Sequence, residues 1–266
     1  MSADTIDHRI IGDDLQAVVV TLDPGEAVVG EAGSMMYMED GIEMATQLSM
    51  RQDGAGLFGR LFEAGKRALT GDSFFVTYFG NTGNQRRDVA FAAPYPGHIV
   101  PVELGEHGGQ VLCQKDAFLC AARGVHVDIA FTRRIGAGLF GGEGFILQRL
   151  SAPGGRGQAF LHAGGSTISR VLAPGETLRV DTGCIVAFES TVDYDIQMVP
   201  GVRNKLFGGE GLFFARLTGP GTVWLQTLPF SRLADRIIAA APRHGGSSRE
   251  EGSILGGLGR ALGGNG

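Results

Sequence analysis

Three stretches of this chain repeat one order of turn and apolar residues at near-constant spacing, and that self-similarity constrains the fold more than any other feature. They are anchored at Gly33, Asp116 and Gly183. Each anchor is followed by an apolar run: Ser34 to Met38, Ala117 to Ala121 and Cys184 to Phe188. Nine residues after each anchor an alternating segment begins, at Ile42, Val125 and Val192. In the second stretch Val125, Val127, Ile129 and Phe131 alternate with His126, Asp128 and Ala130; in the third, Val192, Tyr194 and Ile196 alternate with Asp193, Asp195 and Gln197. Period-two alternation predicts half-buried strands, with the first group of each pair facing the core. A Leu-Phe-Gly step lies 24, 23 and 23 residues from the anchors, at Leu57-Phe58-Gly59, Leu139-Phe140-Gly141 and Leu206-Phe207-Gly208. Further strands follow at 73–79, 144–150 and 211–217, each closed by a Gly-rich or Pro-Gly turn, and the return strands carry Phe91, Phe160 and Trp224. A Pro-Gly-Glu turn introduces two of the stretches, at Pro24-Gly25-Glu26 and Pro174-Gly175-Glu176.

The pattern predicts an all-β chain of three tandem repeats, sandwich-like or resembling a double-stranded β-helix, at about 6–92, 93–161 and 162–242 in one domain spanning 1–242. The content of 44 glycines in 266 residues agrees with many tight turns. Two short helices are expected: an insert at 60–70, with Leu61, Phe62, Ala68 and Leu69 at helical spacing, and Ser231 to Ala241, capped by Ser231 and stopped by Pro242. Residues 243–266 are rich in Gly and Ser and read as a flexible tail. With 43% apolar and 19% charged residues the chain has the makings of a core and is not of the disordered class. Cys113, Cys120 and Cys184 sit in apolar stretches without a C-x-x-C, as small core residues do. The polar first nine residues lack the apolar segment of a secretory signal, which points to a cytoplasmic protein, with peripheral attachment to the inner membrane face as an extension.

Residues 30–38 (Gly-Glu-Ala-Gly-Ser-Met-Met-Tyr-Met) and 206–212 (Leu-Phe-Gly-Gly-Glu-Gly-Leu) resemble signature stretches of the altered-inheritance-of-mitochondria family, and the similarity runs from about Ile6 to Ala241. The resemblance implies three fused units, each like a subunit of the tryptophan RNA-binding attenuation protein. It also implies a homotrimer whose nine units close a ring and cover one another's strand edges. It supplies no catalytic residue, and tryptophan or RNA binding does not follow from fold alone.

The motifs favour binding over catalysis. Two G-x-G-x-x-G strings, Gly54/Gly56/Gly59 and Gly136/Gly138/Gly141, look like hairpin turns, since an apolar strand pattern follows the second and the third stretch has Arg203 and Lys205 in place of the first two glycines. The six histidines form no metal-ligand spacing, so no metal, cofactor or catalytic residue is assigned. Net charge of −5 disfavours nucleic acid as a partner. Basic residues collar the Leu-Phe-Gly steps, which makes Phe58, Phe140 and Phe207 with Arg133, Arg134, Arg203 and Lys205 the candidate tips for docking on an anionic membrane surface or a protein partner. The expected function is a non-enzymatic oligomeric scaffold or binding module. The alternatives are an enzyme whose site forms at a subunit interface from His126, Asp128, Glu143 or Glu210, and, less favoured, a nucleic-acid or small-ligand binder.

Overall fold

The computed structural model describes residues 3–48, 75–133, 145–198 and 213–241, and these are mostly strand. The first third holds β1 (Asp7–Ile11), β2 (Ala17–Leu22), β3 (Ala27–Gly30), β4 (Met35–Met38), β5 (Ile42–Leu48), β6 (Phe75–Asn81) and β7 (Arg87–Ala92). The second holds β8 (Gly97–Glu103), β9 (Gln110–Gln114), β10 (Phe118–Ala122), β11 (His126–Arg133), β12 (Phe145–Ser151) and β13 (Gln158–Gly164). The third holds β14 (Thr167–Leu172), β15 (Thr177–Asp181), β16 (Ile185–Glu189), β17 (Asp193–Met198), β18 (Phe213–Thr218) and β19 (Gly221–Gln226), followed by helix α1 (Phe230–Ala240).

Every ladder between the described strands is antiparallel, and one connectivity recurs along the chain. The orders β2-β7-β4, β8-β13-β10 and β14-β19-β16 correspond, as do β5-β6-β3, β11-β12-β9 and β17-β18-β15. Two ladders join these groups into six-stranded sheets: β3 pairs β10, and β9 pairs β16. Strand β1 is an addition that covers the outer edge of β2.

The Pro-Gly-Glu turns show how local sequence sets this geometry. Gly25 and Gly175 take φ of 86° and 77°, a left-handed conformation in which a side chain would be strained. The carboxylate of Glu26 then accepts the Asp23 amide at 2.8 Å, and that of Glu176 accepts the Ala173 amide at 2.9 Å. The core is built from inward residues such as Phe79, Phe91, Phe160 and Phe188, all fully buried, with Phe79 and Phe91 meeting edge to face at 5.1 Å.

Two expectations are corrected. A bulge between Ile129 and Phe131 breaks the expected period-two register of β11: Ile129 faces Gln148 but Phe131 faces Leu147, so Phe131 falls out of step with Val125, Val127 and Ile129. Ser231 does not cap α1: the cap position is Pro229, which offers no side-chain hydrogen bond, and Ser231 lies inside the first turn. The expected helix at 60–70, both Gly-rich strings and the tail from 243 onward lie outside the described residues.

The matched turns give a matched prediction. Glu26→Ala and Glu176→Ala each remove the carboxylate that accepts the turn amide; Glu176→Ala also removes an exposed ion pair with Arg170, which contributes little, so each should lower stability by about 1 kcal/mol. Denaturant melts should show two similar midpoint shifts; a large shift in one and none in the other contradicts the equivalence of the turns.

Candidate interaction edges and buried polar groups

The strand-group junctions define the most distinctive surface by contrast with their own unpaired counterparts. At the first junction Cys120 faces Gly30, Ala121 faces Val29 and Ala122 faces Val28. At the second, Ala187 faces Cys113, Phe188 faces Leu112 and Glu189 faces Val111. Counted from the anchors at 33, 116 and 183, the strands supplying these ladders are β3 and β9 on one side, β10 and β16 on the other. Their remaining counterparts, β15 and β4, end their sheets: among the described residues β15 pairs only β18, and β4 pairs only β7.

The exposure of β4 follows directly. Met36, Tyr37 and Met38 are 56%, 41% and 38% exposed, whereas their counterparts Leu119 to Ala121 and Val186 to Phe188 are buried. This edge carries no charge and no proline, the devices that usually blunt an open edge. Other edges have them: Pro101 stands exposed on β8, and Asp193 and Asp195 mark β17. On β15, Val180 is buried, Leu178 half-buried and Arg179 exposed. Arg232 of α1 pairs with Asp181 at 2.7 Å, and Pro229 lies close to Gly183, so the start of the helix sits beside the end of β15. The face of α1 bearing Phe230, Ile237 and Ile238 is exposed.

Polar groups pin the internal junctions. His107, in the turn before β9, meets Glu189 of β16 at 2.7 Å and lies edge-on to Trp224 at 4.9 Å. Burial pushes the Glu189 carboxyl up, but hydrogen bonds from His107 and Thr222 outweigh it and leave the pKa below the ordinary value. His162 is buried on β13, edge-on to Tyr95 at 4.6 Å, with its Nδ1 lacking a hydrogen-bond partner. Burial and the neighbouring His98 lower its pKa to about 4, against a hydrogen bond to the Tyr95 backbone that favours the charged ring. Burial, helped by Asp116, raises the Tyr95 hydroxyl to about 12. Cys113 and Cys120 are buried as expected, while Cys184 is only half-buried; burial raises all three thiols.

A polar cleft of about 380 Å³ lies between the N-terminal segment and the loops after β8 and β12, lined by Asp4, Glu103, Glu106, Arg156 and Gln158. Some of its groups are engaged: Asp4 pairs with Arg123 at 3.0 Å, and Gln158 donates to Glu103 at 2.6 Å. Among the described residues no group of three His, Cys, Asp or Glu side chains could hold a metal ion. His126 and Asp128 lie half-buried on β11, paired with Ser151 and Arg149 in register.

Of the tip residues singled out from sequence, Phe58, Phe140, Phe207, Arg134, Arg203 and Lys205 lie outside the described residues, as do Glu143 and Glu210. Arg133 closes β11 opposite Phe145. The sequence alone does not locate the open edges on β4 and β15, although one signal exists: Tyr37 is far bulkier than Cys120 and Ala187, which stand at the same position elsewhere.

An all-β chain with no described helix long and apolar enough to span a bilayer, and with two unmatched sheet edges, is the class these features define. The chain belongs to the mitochondrial biogenesis AIM24 family, whose model matches residues 8–228 and bears out the resemblance carried by residues 30–38 and 206–212. It is 29% identical over 226 residues to an uncharacterized protein of Streptococcus pyogenes serotype M6, covering 85% of this chain and 86% of that one. It is also similar to the X-ray crystal structure of a Streptococcus pyogenes protein, with a TM-score of 0.65 and 25% identity over 89% of this chain and 100% of that chain.

His162 generates a pH prediction. Its folded pKa lies below its unfolded value, so stability is full above about 6.5 and is lost as pH falls towards 4, where both states carry the proton. The loss amounts to roughly 3 kcal/mol at about 1.4 kcal/mol per pKa unit. His162→Gln, which places there the side chain that the third strand group has as Gln226, should flatten this part of the pH–melting curve; an unchanged slope would show that His162 does not set it.

Proposed function

We propose that the chain is a non-enzymatic scaffold or binding module that works as a homo-oligomer. On this reading it consists of three tandem copies of one six-strand unit, each like an attenuation-protein subunit, and assembles end to end into a closed homotrimer. The recurrence of one strand connectivity supports the tandem copies. The observation that carries the assembly is the pair of unmatched edges, an apolar β4 and an open β15, at the positions where the internal junctions form. An edge with exposed Met36, Tyr37 and Met38 is an aggregation hazard for a lone chain and a joint for an assembled one. The hairpin tips supply no part of this support, and membrane or protein docking through them would be a use of the assembled scaffold.

Light scattering on the purified protein tests the proposal. The expected mass is three times the 28.0 kDa of the chain, independent of concentration over the micromolar range. A single-chain mass under the same conditions refutes it.

A further inference from the structure

The internal junctions specify more than the existence of a contact. At each of them two residues, three and four positions past the anchor, enter the core of the preceding strand group. Leu119 and Cys120 of β10 pack with Val28, Ile42 and Phe79 of the first group. Val186 and Ala187 of β16 pack with Val111, Ala117 and Val127 of the second. On β4 these two positions are Met36 and Tyr37, which have no preceding group to enter and stand exposed.

The receiving side shows the complementary deficit. The counterparts of Val111, Ala117 and Val127 in the third group are Leu178, Cys184 and Tyr194. The first three are buried; the last three are only half-buried against the third core. One end of the chain thus presents two apolar side chains without a slot, and the other a slot without its two side chains.

We infer that Met36 and Tyr37 of one copy lodge in the Leu178–Cys184–Tyr194 slot of a second copy, by antiparallel pairing of β4 with β15 in one fixed register. The inference rests on the self-assembly proposed above and identifies its joint. The register follows from both internal ladders: Tyr37 faces Val180, Met38 faces Arg179 and Glu39 faces Leu178 of the second copy, as Cys120, Ala121 and Ala122 face Gly30, Val29 and Val28. The contact is heterologous, so position 38 never meets position 38. Helix α1, held at the end of β15 by Arg232 and Asp181, borders the same joint.

Cysteine trapping tests the register in the full chain carrying Cys184→Ser, with the other two cysteines buried. Residues opposed across two strands have Cα atoms close enough for a disulfide. Met38→Cys with Arg179→Cys should give covalent multimers on mild oxidation, while either substitution alone should give none. Cross-linking of the Met38→Cys single variant would mean that β4 pairs with itself and would overturn the inference. So would a double variant that stays uncross-linked while its mass in solution remains a multiple of the chain. A single-chain mass for the unsubstituted protein would instead refute self-assembly as a whole, and this joint with it.

A mixing experiment gives an independent readout. Met36→Asp with Tyr37→Asp disables the inserting end at exposed positions, and Leu178→Asp disables the slot. Each variant, checked as folded by its melting curve, should fall to single-chain mass. An equimolar mixture should double that mass, because one intact slot and one intact insert remain between the two. Failure of the mixture to rise above single-chain mass, with the unsubstituted protein assembled, overturns the inference.

Discussion

Backbone pairing at strand edges is the constraint on which the rest of this structure depends. Each strand group splits its strands between two sheets, and neither half is closed by its own chain segment. The β3–β10 and β9–β16 ladders are short, three residue pairs each, yet they join separate strand groups into six-stranded sheets and bury the apolar residues on both sides. Hydrogen bonding and apolar burial act together here, since a strand that lost its neighbour would expose both its amides and its side chains. Strand β4 displays that combined loss in the chain on its own.

Much of the fold was legible because alternation and turn chemistry are local. The starts of β5, β11 and β17 fall at or next to Ile42, Val125 and Val192, and the Pro-Gly-Glu turns form where their glycines require. The failures are equally physical. A bulge adds one residue to a strand and shifts its register, which no alternation pattern reveals, so the alternation that sequence carries through to Phe131 breaks after Ile129. The return strands are also offset: Tyr37 pairs with Ala90, while Cys120 pairs with Phe160 and Ala187 with Trp224, so Phe91 is one step away from the two aromatics it resembles in sequence.

The open edges were hidden for a different reason. Met36 and Tyr37 have the character of core residues, and composition cannot distinguish a core that lies within the chain from one completed by another molecule. Only the burial of their counterparts reveals the difference. His162 was similarly opaque, because its environment comes from Tyr95 and His98 in a neighbouring segment and not from its own strand.

The N-terminal segment has a consequence for how the chain comes together during synthesis. Asp4 donates its amide to the Arg123 carbonyl at 2.9 Å and pairs with its guanidinium, and Ile6 is sealed in the core, so the first residues strap across to the middle of the molecule. A ribosome releases those residues long before Arg123 exists. The Asp4–Arg123 contacts of the strap therefore cannot form until nearly half of the polypeptide has been made, which ties the two ends of that stretch together only after the residues between them have emerged.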